Sequence, residues 1–459
     1  MLDLDTAARQ IGAGRRGANA SFFGVSTDSR HISHGDLFVA LRGERYDGHE
    51  FVDQALEDGA VAAMVVDTDR IQRADAALIL VEDTRIGLGR LAAAWRQRFA
   101  IPLVAVTGSN GKTTVKEMIA EVLRAAAGDK AVLATSGNLN NDIGVPLMLL
   151  RLRSHHRYAV IEMGMNHLGE IRYLTGLARP TVALITNAGI AHIGELGSRD
   201  AIAQAKGEIY EGLDADGVAL INADDTYAQY WHGLNQGRAV VEFGMDRPAT
   251  VRARCQLGAE GSTLHVRTPT AEYQAKLNVP GLHNARNALA ACAVAHVLGI
   301  APAHVTRALA YFEGAKGRLQ RKPAKSGAVL IDDTYNANPD SVRAAIAVLA
   351  ACTGMRILVL GDMGELGADA AQMHAELGEA AKAAGIQRLF TLGELSEGAT
   401  RRFGSGAQHY RDLDALCGAL VELLAPGVTV LIKGSRFMRM ERVVERLLQG
   451  GAGSGGGGH

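Results

Sequence analysis

Apolar residues along this chain fall into short unbroken runs, set apart by polar turns and by longer stretches of helical spacing. In the first eighty positions the runs DLFVAL (36–41), AVAAMVV (60–66) and ALILV (77–81) read as strands, and 51–58 as one helix, which predicts a small α/β module. Residues 84–99 carry helical spacing, and Pro102 precedes the apolar run LVAV (103–106), so a first boundary is placed between 82 and 83.

Beyond it, LVAV, a helix over 115–127, AVIEM (159–163), VALITN (182–187) and VALIN (218–222) alternate as in a parallel, doubly wound sheet whose strands are buried on both faces. Residues 250–280 read instead as an antiparallel excursion, with strands over 263–266 and 273–279, followed by an Ala-rich helix over 284–298. From Gly317 the runs VLIDD (329–333), RILVLGDM (356–363), RLFTL (388–392) and VTVLIKG (428–434) each precede a helix-compatible stretch, a second Rossmann-like pattern. The expected fold is therefore α/β in three domains: a small N-terminal module (1–82), a central doubly wound parallel sheet (83–316) and a C-terminal Rossmann-like domain (317–450). The Gly-rich tail 451–459 resembles a flexible linker and is set aside.

Composition narrows the function classes. The 459 residues have 48 Lys and Arg against 49 Asp and Glu, a net charge of -1, so no global field draws the chain to nucleic acid or anionic lipid. Four well-separated cysteines, Cys255, Cys292, Cys352 and Cys417, contain no Cys-x-x-Cys pair and read as buried thiols in a reducing compartment. The N-terminal MLDLDTAARQ lacks the basic and apolar pattern of a signal peptide, and no apolar run approaches the ~18 residues of a membrane span. A cytoplasmic protein without membrane insertion is expected, and a monomer.

The sharpest chemical signal is TGSNGKTT (107–114), directly after a strand and before a helix. There a glycine loop lets backbone N–H groups and the helix N-terminus face phosphates, Lys112 reaches the outer phosphates, and Thr113 can ligate Mg²⁺. Gly108, Ser109, Asn110, Gly111, Lys112, Thr113 and Thr114 are thus the candidate ATP site. No Asn-Lys-x-Asp stretch for guanine follows a later strand, which favours adenine. Glu162 ends the strand AVIEM and His192 lies five residues past VALITN, both at carboxyl ends, where open α/β sheets bind ligands. Glu162 suits a Mg²⁺ ligand, although a strand-end Glu is as readily a solvated or ion-paired residue. His192 has a structural alternative, and Lys206, on a helix, reads equally as a solvated lysine.

These residues resemble the ATP-dependent Mur ligases of peptidoglycan synthesis over nearly the whole chain. TGSNGKTT resembles their shortened phosphate loop, and Glu162 and His192 fall at the family's magnesium positions. Lys206 in AKGEI matches the lysine that is carbamylated in the family. HNARNALAA (283–291) is similar to the adenine-contacting helix, with Asn287 at the contacting position; GRL (317–319) supplies Arg318 toward the nucleotide, and IDDTYNANP (331–339) puts Asp333 at the ribose position. Lys112, His192 and Lys206 are the implied catalytic residues. The resemblance implies ATP, two Mg²⁺ ions held by Thr113, Glu162, His192 and carbamylated Lys206, and an acyl phosphate.

Further stretches, GNLNNDIGVP (137–146), LGDMGELG (360–367) and KGSRFMRME (433–441) among them, resemble the branch of the family that couples D-alanyl-D-alanine to a UDP-N-acetylmuramoyl-tripeptide. The third-residue ligases would show Asp-Asn-Pro-Arg in the last domain, where this chain has Asn338-Pro339-Asp340; a folylpolyglutamate synthetase lacks a module like 1–82. Asp28, Ser29 and Arg30 are implied UDP contacts, though such a loop is otherwise a capped turn. Asn138 and Asn141 either meet the sugar or phosphates or form turns. A phosphate-loop kinase or conformational ATPase would account for the loop and Glu162 alone, and a silent nucleotide-binding scaffold would leave His192 and Lys206 structural.

Overall fold

The computed structural model describes residues 1–191, 193–258 and 260–449. The tail expected to be a linker, and His192 among the candidate site residues, lie outside the described residues.

The first sheet has five strands in the order Gly14–Arg16, Leu78–Leu80, Ala62–Val65, Asp36–Val39, Gly24–Ser26, parallel except for the Gly14–Arg16 edge. Its three inner strands are the runs read from the sequence. The edge strands were not anticipated, because two or three residues carry no measurable period, and the eight-residue helix Leu4–Ile11 was not anticipated either. The helix Thr84–Arg96 begins where Asp83 caps it, accepting from the N–H groups of Arg85 (2.7 Å) and Ile86 (3.0 Å). One apolar cluster joins Leu4, Phe22, Leu37 and Met64, through Leu88, Leu91 and Trp95 of this helix, to Leu103, Ala105 and Ile161 of the next sheet.

That central sheet has nine strands. Val132–Ala134, Tyr158–Glu162, Leu103–Thr107, Val182–Ile185, Val218–Asn222, Ala239–Gly244 and Val251–Leu257 are parallel, and Ser262–Arg267 and Glu272–Leu277 continue antiparallel. Every residue of Leu103–Thr107 is buried, as a strand covered on both faces requires. The antiparallel strands alternate instead, burying Val251, Ala253, Leu264, Val266, Ala275 and Leu277 in a core shared with the helix Leu282–Val297. The excursion read at 250–280 is thus an extension of the same sheet, and Ala239–Gly244 is an added strand that the sequence reading passed over. Chain order reverses around Leu103–Thr107, which lies between Tyr158–Glu162 and Val182–Ile185, so a crevice opens beyond its carboxyl end.

The third sheet runs Gln320–Pro323, Val329–Asp333, Val428–Lys433, Met355–Gly361, Arg388–Leu392, Ala407–Tyr410, with only the first strand antiparallel. Its four central strands are those expected. The carboxyl ends of Val329–Asp333 and Val428–Lys433 face the central crevice, and a cleft of about 1470 Å³ lies between the two sheets.

Candidate active site

Two glycines shape the loop that joins Leu103–Thr107 to the helix Lys112–Ala127. Gly108 has φ +150°, and a Cβ there would sit 1.8 Å from Thr186 Oγ1; Gly111 has φ +83°, and its Cβ would meet Asn287 Oδ1 at 2.4 Å. Neither position tolerates a side chain. The run of N–H groups open to an anion does not span the whole loop. Ser109 N–H donates to the Asn187 carbonyl (2.9 Å) and Asn110 N–H to Asn187 Oδ1 (3.0 Å), so both are spent on the neighbouring strand end. The free donors start one residue later: the N–H groups of Gly111, Lys112, Thr113 and Thr114 have no acceptor among the described residues. They belong to a sixteen-residue helix whose dipole favours an anion at this end. Lys112 Nζ folds back to donate to the Gly108 carbonyl (2.7 Å). Burial lowers its pKa; Glu162 and Glu365 oppose that shift and Arg318 adds to it.

Glu162 is 2% exposed at the end of its strand. Its N–H donates to Thr135 Oγ1 (2.9 Å), Oε1 accepts from Asn140 Nδ2 (2.8 Å), and Oε2 is buried with no partner among the described residues. A carboxylate oxygen left bare in the interior is costly, and an incoming cation would satisfy it. Lys206, near the end of the helix Arg199–Gly207, is 1% exposed, and its side chain has neither ion pair nor hydrogen bond among the described residues. Burial pushes its pKa well below the ordinary lysine value, with the nearby charge of Lys112 acting in the same direction. Lys206 lies behind the cleft wall rather than among its lining residues, which include Ser109, Asn110, Gly111, Lys112, Thr114 and Glu162. No group of three or more His, Cys, Asp or Glu side chains among the described residues is placed to hold a metal by itself.

The third sheet closes the far side. Arg318 Nη2 donates to Thr113 Oγ1 (3.0 Å) across the cleft, its guanidinium stacks 4.3 Å above the Tyr335 ring, and its Nε is buried without a partner among the described residues. Asp333 Oδ2 accepts from Lys433 Nζ (2.7 Å), which also donates to the Asn336 carbonyl (2.9 Å). Burial pushes Asp333 up, and Lys433 pulls it back. Asn287, Arg318 and Asp333 all line the cleft with the phosphate loop.

The first-module candidates stand apart. Asp28 is held well below the usual carboxylate range by Arg30, whose Nε and Nη2 both donate at 2.8 Å. Asp28, Ser29 and Arg30 do not line the cleft. Asn138 is exposed outside it; Asn141 lines it, but its Oδ1 accepts from the Gly144 N–H (2.8 Å) at the start of the helix Gly144–Leu149. Within GNLNNDIGVP it is Asn140 that reaches Glu162. Sequence reasoning also passed over Asn187, Asn338, Tyr335 and Lys433, each of which stood inside a quoted motif but beside more conspicuous residues.

An anion-binding helix start, a lysine above it and an unsatisfied carboxylate opposite define a nucleotide-dependent enzyme built from three α/β units. Family models match in chain order: Mur ligase family, catalytic domain, at residues 22–96; Mur ligase middle domain at 106–295; and Mur ligase, glutamate ligase domain, at 317–436. The chain belongs to the Mur ligase family. It is 42% identical over 440 residues to the UDP-N-acetylmuramoyl-tripeptide--D-alanyl-D-alanine ligase of Escherichia coli (strain K12), covering 95% of this chain and 96% of that one. The ligase of the same description from Bacillus subtilis (strain 168) is 37% identical over 433 residues, 93% of each chain. Among solved structures, a crystal structure of MurF from Acinetobacter baumannii matches with TM-score 0.90 at 36% identity, over 97% of this chain and 98% of that one. MurF ligase from Thermotoga maritima in complex with ADP matches with TM-score 0.82 at 28% identity, over 93% and 97%.

Proposed function

We propose that the protein is an ATP-dependent, ADP-forming ligase that joins D-alanyl-D-alanine to the free carboxylate of a UDP-N-acetylmuramoyl-tripeptide, giving the UDP-muramoyl-pentapeptide of peptidoglycan synthesis. The observation that carries the reading is the cleft, whose lining brings the free N–H groups of Gly111, Lys112 and Thr114 and the Lys112 side chain together with the buried carboxylate of Glu162, one oxygen of which has no partner among the described residues. Full-length likeness to relatives described by this activity supports the substrates.

Amide formation from a carboxylate in water is uphill, so the acid is first converted to an acyl phosphate at the expense of ATP. The donors of Gly111, Lys112, Thr113 and Thr114 would take the phosphates, and Lys112 would exchange the Gly108 carbonyl for a phosphate oxygen, countering the repulsion between the γ-phosphate and the incoming carboxylate. Asn287 would contact adenine, Asp333 the ribose and Arg318 the phosphates, with the last two arriving from the third sheet and shielding the acyl phosphate from water.

The chain fits magnesium. Glu162 Oε2 is a buried anionic oxygen without a partner among the described residues, and Thr113 Oγ1 stands at the helix start. These two would hold one ion, and Glu162, His192 and a carbamate on Lys206 a second; bound Mg²⁺ offsets the charge gathered by the triphosphate and the acid. Lys206 fits carbamylation because burial without a counter-charge favours its neutral amine, the form that takes up CO₂. Asp28, Ser29 and Arg30 would meet the UDP group, and Asn138 and Asn141 the sugar or phosphates.

The test is ADP release by the full-length protein. It should require both the UDP-tripeptide and D-alanyl-D-alanine and yield a product of pentapeptide mass. Brisk hydrolysis with either omitted, or a stable phosphorylated product without a new peptide bond, would remove the proposal.

A further inference from the structure

A directed chain of side-chain amides crosses the cleft and ends over the phosphate loop. It starts at the helix Pro339–Ala350, where Asn338 is the N-cap: Asn338 Oδ1 accepts from the Ser341 N–H at 2.9 Å, and Ser341 Oγ closes the capping box. That bond fixes which way the Asn338 carboxamide points, because a backbone N–H can only donate. Asn338 must therefore offer Nδ2 outward, and Nδ2 donates to Asn110 Oδ1 at 2.8 Å. Asn110 in turn must present its oxygen to Asn338, which leaves its two Nδ2 donors for the cleft that it lines.

The backbone of Asn110 is held independently. Asn187 grips it with both ends of its own amide, Oδ1 accepting from the Asn110 N–H and Nδ2 donating to the Asn110 carbonyl, each at 3.0 Å, and Thr186 Oγ1 adds a second donor to that carbonyl at 2.6 Å. Between Gly108 and Gly111 the loop would otherwise have wide torsional freedom. With the backbone clamped, the freedom left to Asn110 is the rotation of its side chain, and that is what Asn338 controls from the other sheet.

We propose that Asn338 is a positioning residue for phosphoryl transfer: docked against the central sheet, it orients the Asn110 carboxamide so that N–H donors, not the carbonyl oxygen, meet the γ-phosphate. The inference deepens the ligase reading and rests on it for its turnover measurement. Its basis is oriented-dipole catalysis, in which donors set in advance stabilise charge without reorganising at the moment of reaction.

Two substitutions separate orientation from folding, since both keep the helix cap. Asn338→Ser retains a capping oxygen and removes the donor to Asn110. Asn338→Asp retains the cap and offers Asn110 an acceptor, which draws the Asn110 amide to turn and point its oxygen at the phosphates. We expect unchanged thermal stability in both, kcat lowered about tenfold in Asn338→Ser and about a hundredfold in Asn338→Asp, and ADP affinity within about threefold of wild type, because ADP lacks the γ-phosphate. In an Asn110→Ala background the two substitutions should no longer differ. Equal kcat in Asn338→Ser, Asn338→Asp and wild type, or an undiminished Ser–Asp gap without the Asn110 side chain, would overturn the proposal. A wild-type protein that releases no ADP with both substrates present would instead bring down the ligase reading, so the two failures are distinct.

Discussion

Replacing Gly111 by alanine tests whether the phosphate loop is shaped by contact with the helix Leu282–Val297 or only by its own backbone. At φ +83° an L-residue incurs a left-handed strain of about 1–2 kcal/mol. The new methyl would also lie 2.4 Å from Asn287 Oδ1, 3.1 Å from its Cγ and 3.2 Å from its Nδ2, so Asn287 must leave its rotamer at about 0.5–1.5 kcal/mol. Asn287 is buried among small helical neighbours and cannot swing freely. The total, roughly 2–3 kcal/mol, should appear in denaturant unfolding of the nucleotide-free protein. Asn287→Ala removes all three crowded atoms and leaves the backbone strain in place. The double variant should then be less damaged than the sum of the singles by about 1 kcal/mol, a clear coupling for residues in contact. Measuring unfolding rather than nucleotide affinity matters, because Asn287 is itself assigned to adenine. Additive effects, or a Gly111→Ala loss below about 0.5 kcal/mol, would refute the steric account.

Other expectations follow from the same geometry. Asn140→Ala should weaken Mg²⁺ or Mn²⁺ binding about 10- to 100-fold by freeing Glu162 Oε1, as read in a metal titration of ADP release and in direct Mn²⁺ binding. Lys206→Ala should lower turnover by roughly two orders of magnitude, with partial recovery on adding a short carboxylate, and full retention of activity would end the carbamate assignment. His283, half-buried in the cleft wall, has its pKa pushed down to about 4 from an ordinary 6.5 by desolvation, with the charges of Lys433 and Arg286 adding to the shift. The folded form stays neutral while the unfolded chain takes a proton below pH 6.5, so stability should fall as pH drops from 6.5 toward 4, by at most about 3 kcal/mol. His283→Asn should flatten that part of the pH–stability curve, and an unchanged slope would count against burial as the cause.

The buried parallel strands were legible because burial on both faces writes an uninterrupted apolar run, and the phosphate loop because all its parts are contiguous. Arg318 and Asp333 came from resemblance, and the structure brings them to the same cleft. Asn140, Asn187 and Asn338 could not be picked out, since asparagine marks turns and caps everywhere in a sequence. Asn338 does cap a helix; only the approach of a second sheet turns the other end of its amide toward Asn110. That Ser109 and Asn110 spend their N–H groups inside the fold was illegible for the same reason, because Asn187, which accepts from both, lies 77 positions beyond Asn110. Edge strands of two or three residues were missed because their pairing partners, not their own pattern, make them strands.

The helix Thr84–Arg96 welds the first sheet to the second with Leu88, Leu91 and Trp95 in one dry mass, whereas Leu319, Ile331 and their neighbours beyond the cleft make a separate core. Prising apart the first joint would wet oily side chains. Parting the second chiefly trades amide and guanidinium contacts such as Asn338 to Asn110 and Arg318 to Thr113 for contacts with water, at about 1 kcal/mol each. Were the third unit to swing away after turnover, taking Arg318 and Asp333 with it, spent nucleotide would leave at small cost to the fold.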